Sequence, residues 1–176
     1  MSIIIDPIQL GSPDLQIVAS RMRDTLIDVL GEEVGESMYS LEWLYDRAVS
    51  HIDGRLLGAI YIARVGPESQ NVGHIIVRQE EDERGQFGLV TTAYVLPEMR
   101  RKGIASTLLG AAHTWFLSRR LFRTATDTAE NNHPLIALYG RHGYEVIFHS
   151  KEKQMVRLSR ELISTEWTLS LYRAKK

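Results

Sequence analysis

The chain has 176 residues, of which 44% are hydrophobic and 24% are charged, and this balance is typical of soluble globular domains. Its 21 basic and 22 acidic residues nearly cancel, which argues against a protein devoted to nucleic acid or to an anionic membrane. No cysteine is present, so disulfides, thiolate metal sites and a cysteine nucleophile are excluded. We expect a single domain over residues 1–176, without a metal, a nucleic-acid partner or a membrane partner.

The N-terminal part predicts one strand followed by two helices. The β-branched run Ile3–Ile8 predicts the strand. Ser12 as cap and Pro13 in the first turn predict the start of an amphipathic helix, which ends at Gly31. A second helix is expected over Leu41–Val49. The apolar N-terminal run is too short for a signal peptide or a membrane span, so we expect a cytoplasmic protein.

The middle of the chain predicts antiparallel hairpins. Asp53-Gly54 is a turn signal. The expected strands after it are Leu56–Val65, Val72–Arg78 and Phe87–Leu96. The charged run Gln79–Gln86 between the last two strands is predicted to be an exposed loop at the tip of a hairpin.

The C-terminal part alternates between helical and strand patterns. Helices are predicted at Ile104–Leu117 and Leu135–His142, and strands at Phe122–Thr128, Tyr144–Phe148 and Lys153–Leu158. The apolar tail 159–176 fits a helix or a strand, and it would either complete the core or pair with a second copy in a homodimer. Antiparallel hairpins followed by crossover helices predict a mixed α/β fold.

The sharpest motif is a short basic turn between a strand and a helix, at residues 94–106. A helix N-terminus presents unpaired N–H groups and partial positive charge, which together favour an anion. Gly103 and Ala105 leave room for a phosphate to approach the backbone. The neighbouring basic residues are Arg100, Arg101 and Lys102. The motif lacks the glycines of a dinucleotide fingerprint and the Gly-Lys-Ser/Thr of a nucleotide P-loop.

Two motifs in order resemble the coenzyme-binding half of the GNAT superfamily of N-acetyltransferases. The first is Arg100-x-x-Gly103-x-Ala105 after a strand. The second consists of an asparagine, a helix carrying Ala-x-Tyr and a closing Gly-Tyr, which are here Asn132, Ala137, Tyr139, Gly143 and Tyr144. The resemblance covers residues 87–148 well, and within the superfamily this stretch looks like the ribosomal-protein alanine acetyltransferases.

The resemblance implies one acetyltransferase domain with a twisted, mostly antiparallel sheet, about four flanking helices and a coenzyme-binding core at about 87–148. The central strands would splay apart after Val95, and acetyl-CoA would lie in the split as co-substrate. The pantetheine arm would pair with free backbone groups of Ala93, Tyr94 and Val95, much like an added strand. Asn132 would bond the arm from the opposite side, although an asparagine here also suits the start of a helix. The implied coenzyme-binding residues are Ala93, Tyr94, Val95, Arg100, Arg101, Lys102, Gly103, Ile104, Ala105, Ser106 and Asn132.

The resemblance also implies how acetyl transfer would proceed. Tyr139 would act as general acid on the departing thiolate, because an ordinary tyrosine is protonated at neutral pH. The backbone N–H of Val95 would polarise the carbonyl. Asp127 is a candidate base, or it simply bonds neighbouring threonines. Family members often use water wires instead, so Glu98, His51 and His74 are not ranked as alternative bases.

The acceptor is less readable than the coenzyme site. A small-molecule amine or a peptide or protein amine would attack the thioester directly in a ternary complex. The acidic cluster Glu32, Glu33 and Glu36 could attract a cationic amine or could be a solvated loop. Four large residues fit an acceptor site or the core, namely Met38, Tyr39, Trp43 and Tyr45. The alternatives to an enzyme are a non-catalytic acyl-CoA-binding sensor or assembly module, and a fold whose turn holds another phosphate ligand.

Overall fold

The structure is a computed structural model, and it describes residues 1–162 of the chain. The strands are β1 (Ile3–Pro7), β2 (Gly58–Val65), β3 (Gln70–Asp82), β4 (Gly85–Val95), β5 (Arg123–Ala129), β6 (Glu145–Ser150) and β7 (Met155–Glu161). The helices are α1 (Asp14–Leu30), α2 (Glu32–Met38), α3 (Leu41–Val49), α4 (Ile104–Ser118) and α5 (His133–Arg141), with a 3-10 turn at Pro97–Met99. The question of helix or strand in the tail beyond Leu162 lies outside the described residues.

The strands form one seven-stranded sheet in the order β1-β2-β3-β4-β5-β7-β6. Every neighbouring pair is antiparallel except β4 and β5, which run parallel and are connected through α4. This arrangement confirms the predicted mixed α/β fold with a mostly antiparallel sheet. The described residues carry five α-helices where about four were expected.

The two faces of the sheet are covered by different helices. On one face, Ile76 of β3 packs with Leu15 and Val18 of α1 and with α3. On the opposite face, the neighbouring Ile75 packs with α4 through residues such as Leu108. Because successive side chains of a strand point to opposite faces, β3 contributes to both layers. The α4 layer also contains α5.

Two segments differ from the sequence expectation. The run Gln79–Gln86 is not a loop, because β3 continues to Asp82 and β4 begins at Gly85. Arg123 stabilises this extension, since its guanidinium donates to both carboxylate oxygens of Asp82 at 2.6 and 2.7 Å. The acidic link after α1 is a helix of its own, α2, which Gly31 alone separates from α1.

The central strands separate earlier than expected. β4 and β5 pair only from Gly88–Thr124 to Val90–Thr126, although β4 continues to Val95 and β5 to Ala129. At this point Thr91 is an extra residue of β4, because Val90 and Thr92 face consecutive residues of β3. Such a bulge bends a strand and increases its twist, which accounts for the separation. The fork therefore begins after Val90 and not after Val95.

Candidate active site

A cavity of about 1300 Å³ opens where β4 and β5 separate. Its walls include Leu89–Val95 of β4 and Thr126–Ala129 of β5. The basic turn, the start of α4 and part of α5 line one side, and α1 and α3 line the other. The cavity thus joins the two faces of the sheet through the fork. It exceeds the usual size of a site for one small ligand, so it has room for two.

The cavity brings together nearly all the site residues expected from the sequence. Tyr139, Asp127 and every expected coenzyme-binding residue except Lys102 contribute to its wall. Lys102 is exposed beside the turn, where its Nζ lies 3.6 Å from the sulfur of Met99. The sequence motifs and the fork therefore meet at one place in the fold.

The basic turn has the backbone shape of an anion-binding loop. After the 3-10 turn, Arg101 has φ +63° and Gly103 has φ +82° at the N-cap of α4. A left-handed arginine is uncommon and is retained where the surrounding structure requires it. Successive residues of opposite handedness turn their N–H groups toward one concavity. No atom lies within 4 Å of a Cβ built at Gly103, so this concavity is open.

The N–H groups of the turn are available to a ligand. The first intrahelical bond at this end of α4 runs from the Thr107 N–H to the Gly103 carbonyl, at 3.0 Å. The N–H groups of residues 104–106 precede it and have no partner within the helix. Arg100 serves the turn differently, because its Nε donates to the Val95 carbonyl at 3.0 Å and holds the turn against β4.

The edge of β4 offers fewer free groups than the sequence suggested. The Leu96 N–H donates to the Val72 carbonyl of β3 at 2.9 Å. Backbone groups alternate in direction along a strand, so those of Tyr94 also face β3 while those of Ala93 and Val95 face the fork. The expectation that Tyr94 offers free backbone groups is corrected accordingly.

Asn132 combines a local role with a place in the cavity wall. Its side-chain oxygen accepts from the Leu135 N–H at 3.4 Å and caps α5. Its amide nitrogen donates to the Thr128 hydroxyl of β5 at 3.1 Å. These contacts fix the start of α5 against β5 at the open end of the fork.

The hydroxyl of Tyr139 lies at the closed end of the fork. Its side chain is only 1% exposed, and its hydroxyl lies near that of Thr126. Thr126 donates to the Val90 carbonyl at 3.0 Å, and these two residues form the last pair between β5 and β4. Burial raises the pKa of Tyr139 well above its usual value, and the nearby Thr126 hydroxyl only partly offsets this. Tyr139 is therefore a proton donor at neutral pH.

Tyr144 occupies a neighbouring network that the sequence did not reveal. Its ring lies edge-on to that of Tyr139 with centroids 4.8 Å apart. The Tyr144 oxygen lies 2.9 Å from both the Thr124 hydroxyl, which donates to it, and Nε2 of His113. Burial, assisted by the charge of Arg160, lowers the pKa of His113 to about 4. The Tyr144 hydroxyl is thus committed to the core, whereas that of Tyr139 faces the fork.

Asp127 does not present a free carboxylate. The Arg157 guanidinium donates to both of its oxygens at 2.7 Å, through Nε and a terminal nitrogen. Both oxygens are therefore already engaged as hydrogen-bond acceptors of an arginine. The pair argues against Asp127 as general base and supports the structural role considered from the sequence.

The cavity wall formed by α1 and α3, where the sequence placed the acceptor, differs most from expectation. None of Glu32, Glu33 and Glu36 contributes to the cavity wall, because all three lie on α2. Tyr39 and Trp43 do line it, and they are not core residues, since they are 37% and 45% exposed. Their rings stack with centroids 4.1 Å apart. Arg47, His51 and Arg78 line the same side, and the sequence did not single out the two arginines.

Four further residues that were considered from the sequence lie outside this wall. Met38 is exposed, and Tyr45 packs against the core below α3. His74 is fully buried and does not line the cavity, and Glu98 does not line it either. The arrangement at the fork therefore rests on the basic turn, β4, β5 and Tyr139.

A family model described as the acetyltransferase (GNAT) family matches residues 20–144, which is more than half of the chain. The chain therefore belongs to the GNAT acetyltransferase family. No curated protein matches it. Within residues 1–162, no helix is both long and apolar enough to span a membrane, and no group of three or more metal-ligating side chains occurs.

Solved structures share the fold at low sequence identity. A chain of the NatC complex bound to Gag peptide and CoA is similar with a TM-score of 0.71 at 16% identity, and the match covers 93% of this chain and 100% of that one. The PaiA N-acetyltransferase from Thermoplasma acidophilum in complex with coenzyme A matches with a TM-score of 0.71 at 21% identity, covering 92% and 99%. Ard1 from Thermoplasma volcanium matches with a TM-score of 0.67 at 14% identity, covering 93% and 100%.

Proposed function

We propose that this protein transfers an acetyl group from acetyl-CoA to a primary amine, by direct attack in a ternary complex. One observation carries the proposal: the open N–H groups of the basic turn, the free edge of β4 and the Tyr139 hydroxyl line one continuous cavity. Similar structures were solved with CoA bound, among them the NatC chain and PaiA. The proposed coenzyme-binding core is residues 87–148 of a single domain.

The residues of the turn would hold the diphosphate of acetyl-CoA. The N–H groups from Gly103 to Ser106 supply donors and the positive end of the α4 dipole. Arg101 adds a full charge from the cavity wall, and Lys102 adds another from the exposed side. The pantetheine arm would then extend along the free carbonyl of Ala93 and the N–H of Val95 like an added strand.

The fork would hold the thioester. The N–H of Ala93 faces the gap two residues nearer to the closed end than that of Val95, and it can donate to the carbonyl oxygen as negative charge develops there. Tyr139 can donate its proton to the departing thiolate, because it is buried at the closed end and is protonated at neutral pH. The amine must lose a proton before it attacks. We propose that water in the cavity accepts this proton, because both oxygens of Asp127 already accept hydrogen bonds from Arg157.

The test is the release of free thiol from acetyl-CoA in the presence of a panel of primary amines, with the acetylated product identified by mass spectrometry. The panel comprises polyamines, amino acids, ω-amino acids and short peptides. We expect amine-dependent thiol release well above the rate with buffer alone. If the protein binds acetyl-CoA but no amine accelerates thiol release, the transferase is excluded and a non-catalytic acyl-CoA-binding module takes its place.

A further inference from the structure

Four cavity-lining residues recur at every fourth position around α3. They are Tyr39, Trp43, Arg47 and His51. Residues four apart on a helix lie on the same side, so Trp43 and Arg47 form a stripe along the wall. The stacked rings of Tyr39 and Trp43 provide an apolar surface at one end of the stripe, and Arg47 provides a charge beyond it.

Arg47 forms no direct ion pair although it is half buried. Among residues 1–162, no carboxylate or other acceptor bonds its guanidinium, and the residue lines the cavity. Burial lowers the pKa of Arg47 and the nearby charge of Arg78 lowers it further, whereas the Glu80 carboxylate, which bonds Arg78, opposes this shift without contacting Arg47. Arg78 itself donates through Nε to Glu80, which leaves its terminal nitrogens without a partner in the described part of the chain.

His51 has an unused polar atom beside the two arginines. The residue is 2% exposed, and its Nδ1–H donates to the Arg47 carbonyl at 2.8 Å. Its Nε2 is buried and has no partner among residues 1–162. Burial, together with the charges of Arg78 and Arg47, lowers the pKa of His51 to about 4. The neutral ring therefore adds no positive charge of its own. Two guanidinium charges close together are unfavourable unless anions lie beside them, and Glu80 supplies only one carboxylate for the two arginines.

We propose that Arg47 and Arg78 bind a carboxylate carried by the acceptor amine, whose apolar body lies against Tyr39 and Trp43. The inference rests on the proposed acetyl transfer and adds the class of acceptor, namely amines that also carry a carboxylate. Guanidinium groups match a carboxylate in shape and can each donate two parallel hydrogen bonds to it.

The location of the arginines sets the shape of the acceptor. Arg78 of β3 pairs with Leu89 of β4. Leu89 comes one residue before Val90, where the pairing of β4 with β5 ends and the fork begins. It also lies two residues from Ile76, and therefore on the α3 face of the sheet. The basic turn begins α4 on the opposite face. The carboxylate would bind on one side while the amine enters the fork, so several bonds must separate the two groups.

The experiment compares ω-amino acids with their amides, from 4-aminobutanoate to 6-aminohexanoate. Each amide has the same length and the same amine but lacks the negative charge. We expect kcat/KM for the best carboxylate to exceed that of its amide by about tenfold or more, as for a charge-assisted hydrogen bond. Arg47→Gln and Arg78→Gln should each bring this ratio down toward one, and Arg47→Lys should restore part of it.

Arg55→Gln is the matched control. Arg55 follows the same helix but pairs with Asp46 and Asp53 and does not line the cavity, so its removal should leave the ratio unchanged. Thermal unfolding of all variants would show whether they fold. The inference would be overturned if the amides were acetylated as efficiently as the carboxylates. It would also be overturned if Arg47→Gln and Arg55→Gln had the same ratio of kcat/KM for carboxylate and amide.

A binding measurement separates this inference from the proposed function. Calorimetric titration of 5-acetamidopentanoate into the protein saturated with coenzyme A requires no turnover. Binding that Arg47→Gln abolishes and Arg55→Gln retains would support the carboxylate site even if acetyl transfer failed. If the protein acetylated amines that carry no carboxylate but did not bind 5-acetamidopentanoate, the proposed acetyl transfer would stand and the proposed carboxylate site would be overturned.

Discussion

The two sides of the fork are built in different ways. The proposed coenzyme side consists of backbone groups of residues 93–106 together with side chains of residues 132–144, and their positions are fixed by a bulge, a left-handed arginine and two helix starts. The proposed acceptor side consists of side chains from α3 and β3, such as Arg47 and Arg78. A site made of backbone geometry leaves a compact sequence motif, whereas a site made of distant side chains does not.

The difference also concerns what each side would recognise. The backbone N–H groups of the turn fit any acyl-CoA, because the diphosphate is common to all of them. The arginines and stacked rings of the proposed acceptor side would select among amines. Family membership therefore bears on the coenzyme side, and the substrate must be sought on the other.

Tyr139→Phe is expected to have the largest catalytic effect. Loss of the hydroxyl at the fork should lower kcat by about a hundredfold, the lower end of general-acid contributions. The dissociation constant of acetyl-CoA should change less than about twofold, since the turn that holds the diphosphate is intact. Thiol-release kinetics and calorimetry would measure the two quantities.

Tyr144→Phe is the control for the tyrosine assignment. Its hydroxyl accepts from Thr124 and contacts His113, away from the fork. Its removal should lower the free energy of unfolding by about 1 kcal/mol, the value of one hydrogen bond, with little change in kcat. A loss of kcat as large as that of Tyr139→Phe would show that the two tyrosines had been assigned wrongly.

A further effect is expected from the buried His74, in this case on the pH dependence of stability. His74 is fully buried against Tyr94 and Arg21, and neither ring nitrogen has a partner among residues 1–162. Burial, with the charge of Arg21, lowers its pKa from 6.5 to about 3. Below pH 6.5, His74 therefore takes up a proton in the unfolded chain but not in the folded protein. The free energy of unfolding is highest above pH 6.5 and falls as the pH drops toward 3.

Protonation of His74 in the unfolded chain should lower the free energy of unfolding by about 2 kcal/mol when the pH falls from 7 to 5. His74→Phe should remove that share of the decrease, whereas a substitution of the exposed His133 should not. Urea unfolding of the three proteins at both pH values would measure it. An unchanged pH dependence in His74→Phe would show that the buried ring accepts a proton in the folded state.

Nearly all the residues that the sequence singled out for the coenzyme meet at one cavity, because the sequence signals for them are local. Gly103, Ala105 and the Asn132–Tyr144 pattern lie within short stretches, and helix starts depend on neighbouring residues. Asp127 was harder, since its partner Arg157 comes thirty residues later and only the pairing of β5 with β7 brings them together. The extension of β3 to Asp82 likewise depends on Arg123 from another strand.

The proposed acceptor side could not be predicted from the sequence, because it too depends on contacts between residues that are far apart in the chain. The spacing of Tyr39 and Trp43 fits a buried helix face as well as a cavity wall, and only the fork leaves that face uncovered. Arg47 and Arg78 meet through the packing of α3 on the sheet, which no pattern in the sequence specifies. Most strands and helices followed from periodicity, except for α2 and the ends of β3 and β4 near Asp82, whereas the opening after Val90 required the bulge at Thr91.

Calorimetric titration of acetyl-CoA into the wild type, Gly103→Glu and Gly66→Glu tests the central claim most directly. Both glycines have positive φ and open space at a Cβ, so both substitutions strain the backbone alike, but only Gly103 lies at the cavity. We expect one-to-one binding in the micromolar range for the wild type and Gly66→Glu, and no detectable binding for Gly103→Glu. Retained affinity in Gly103→Glu, or no binding by the wild type, would contradict the account.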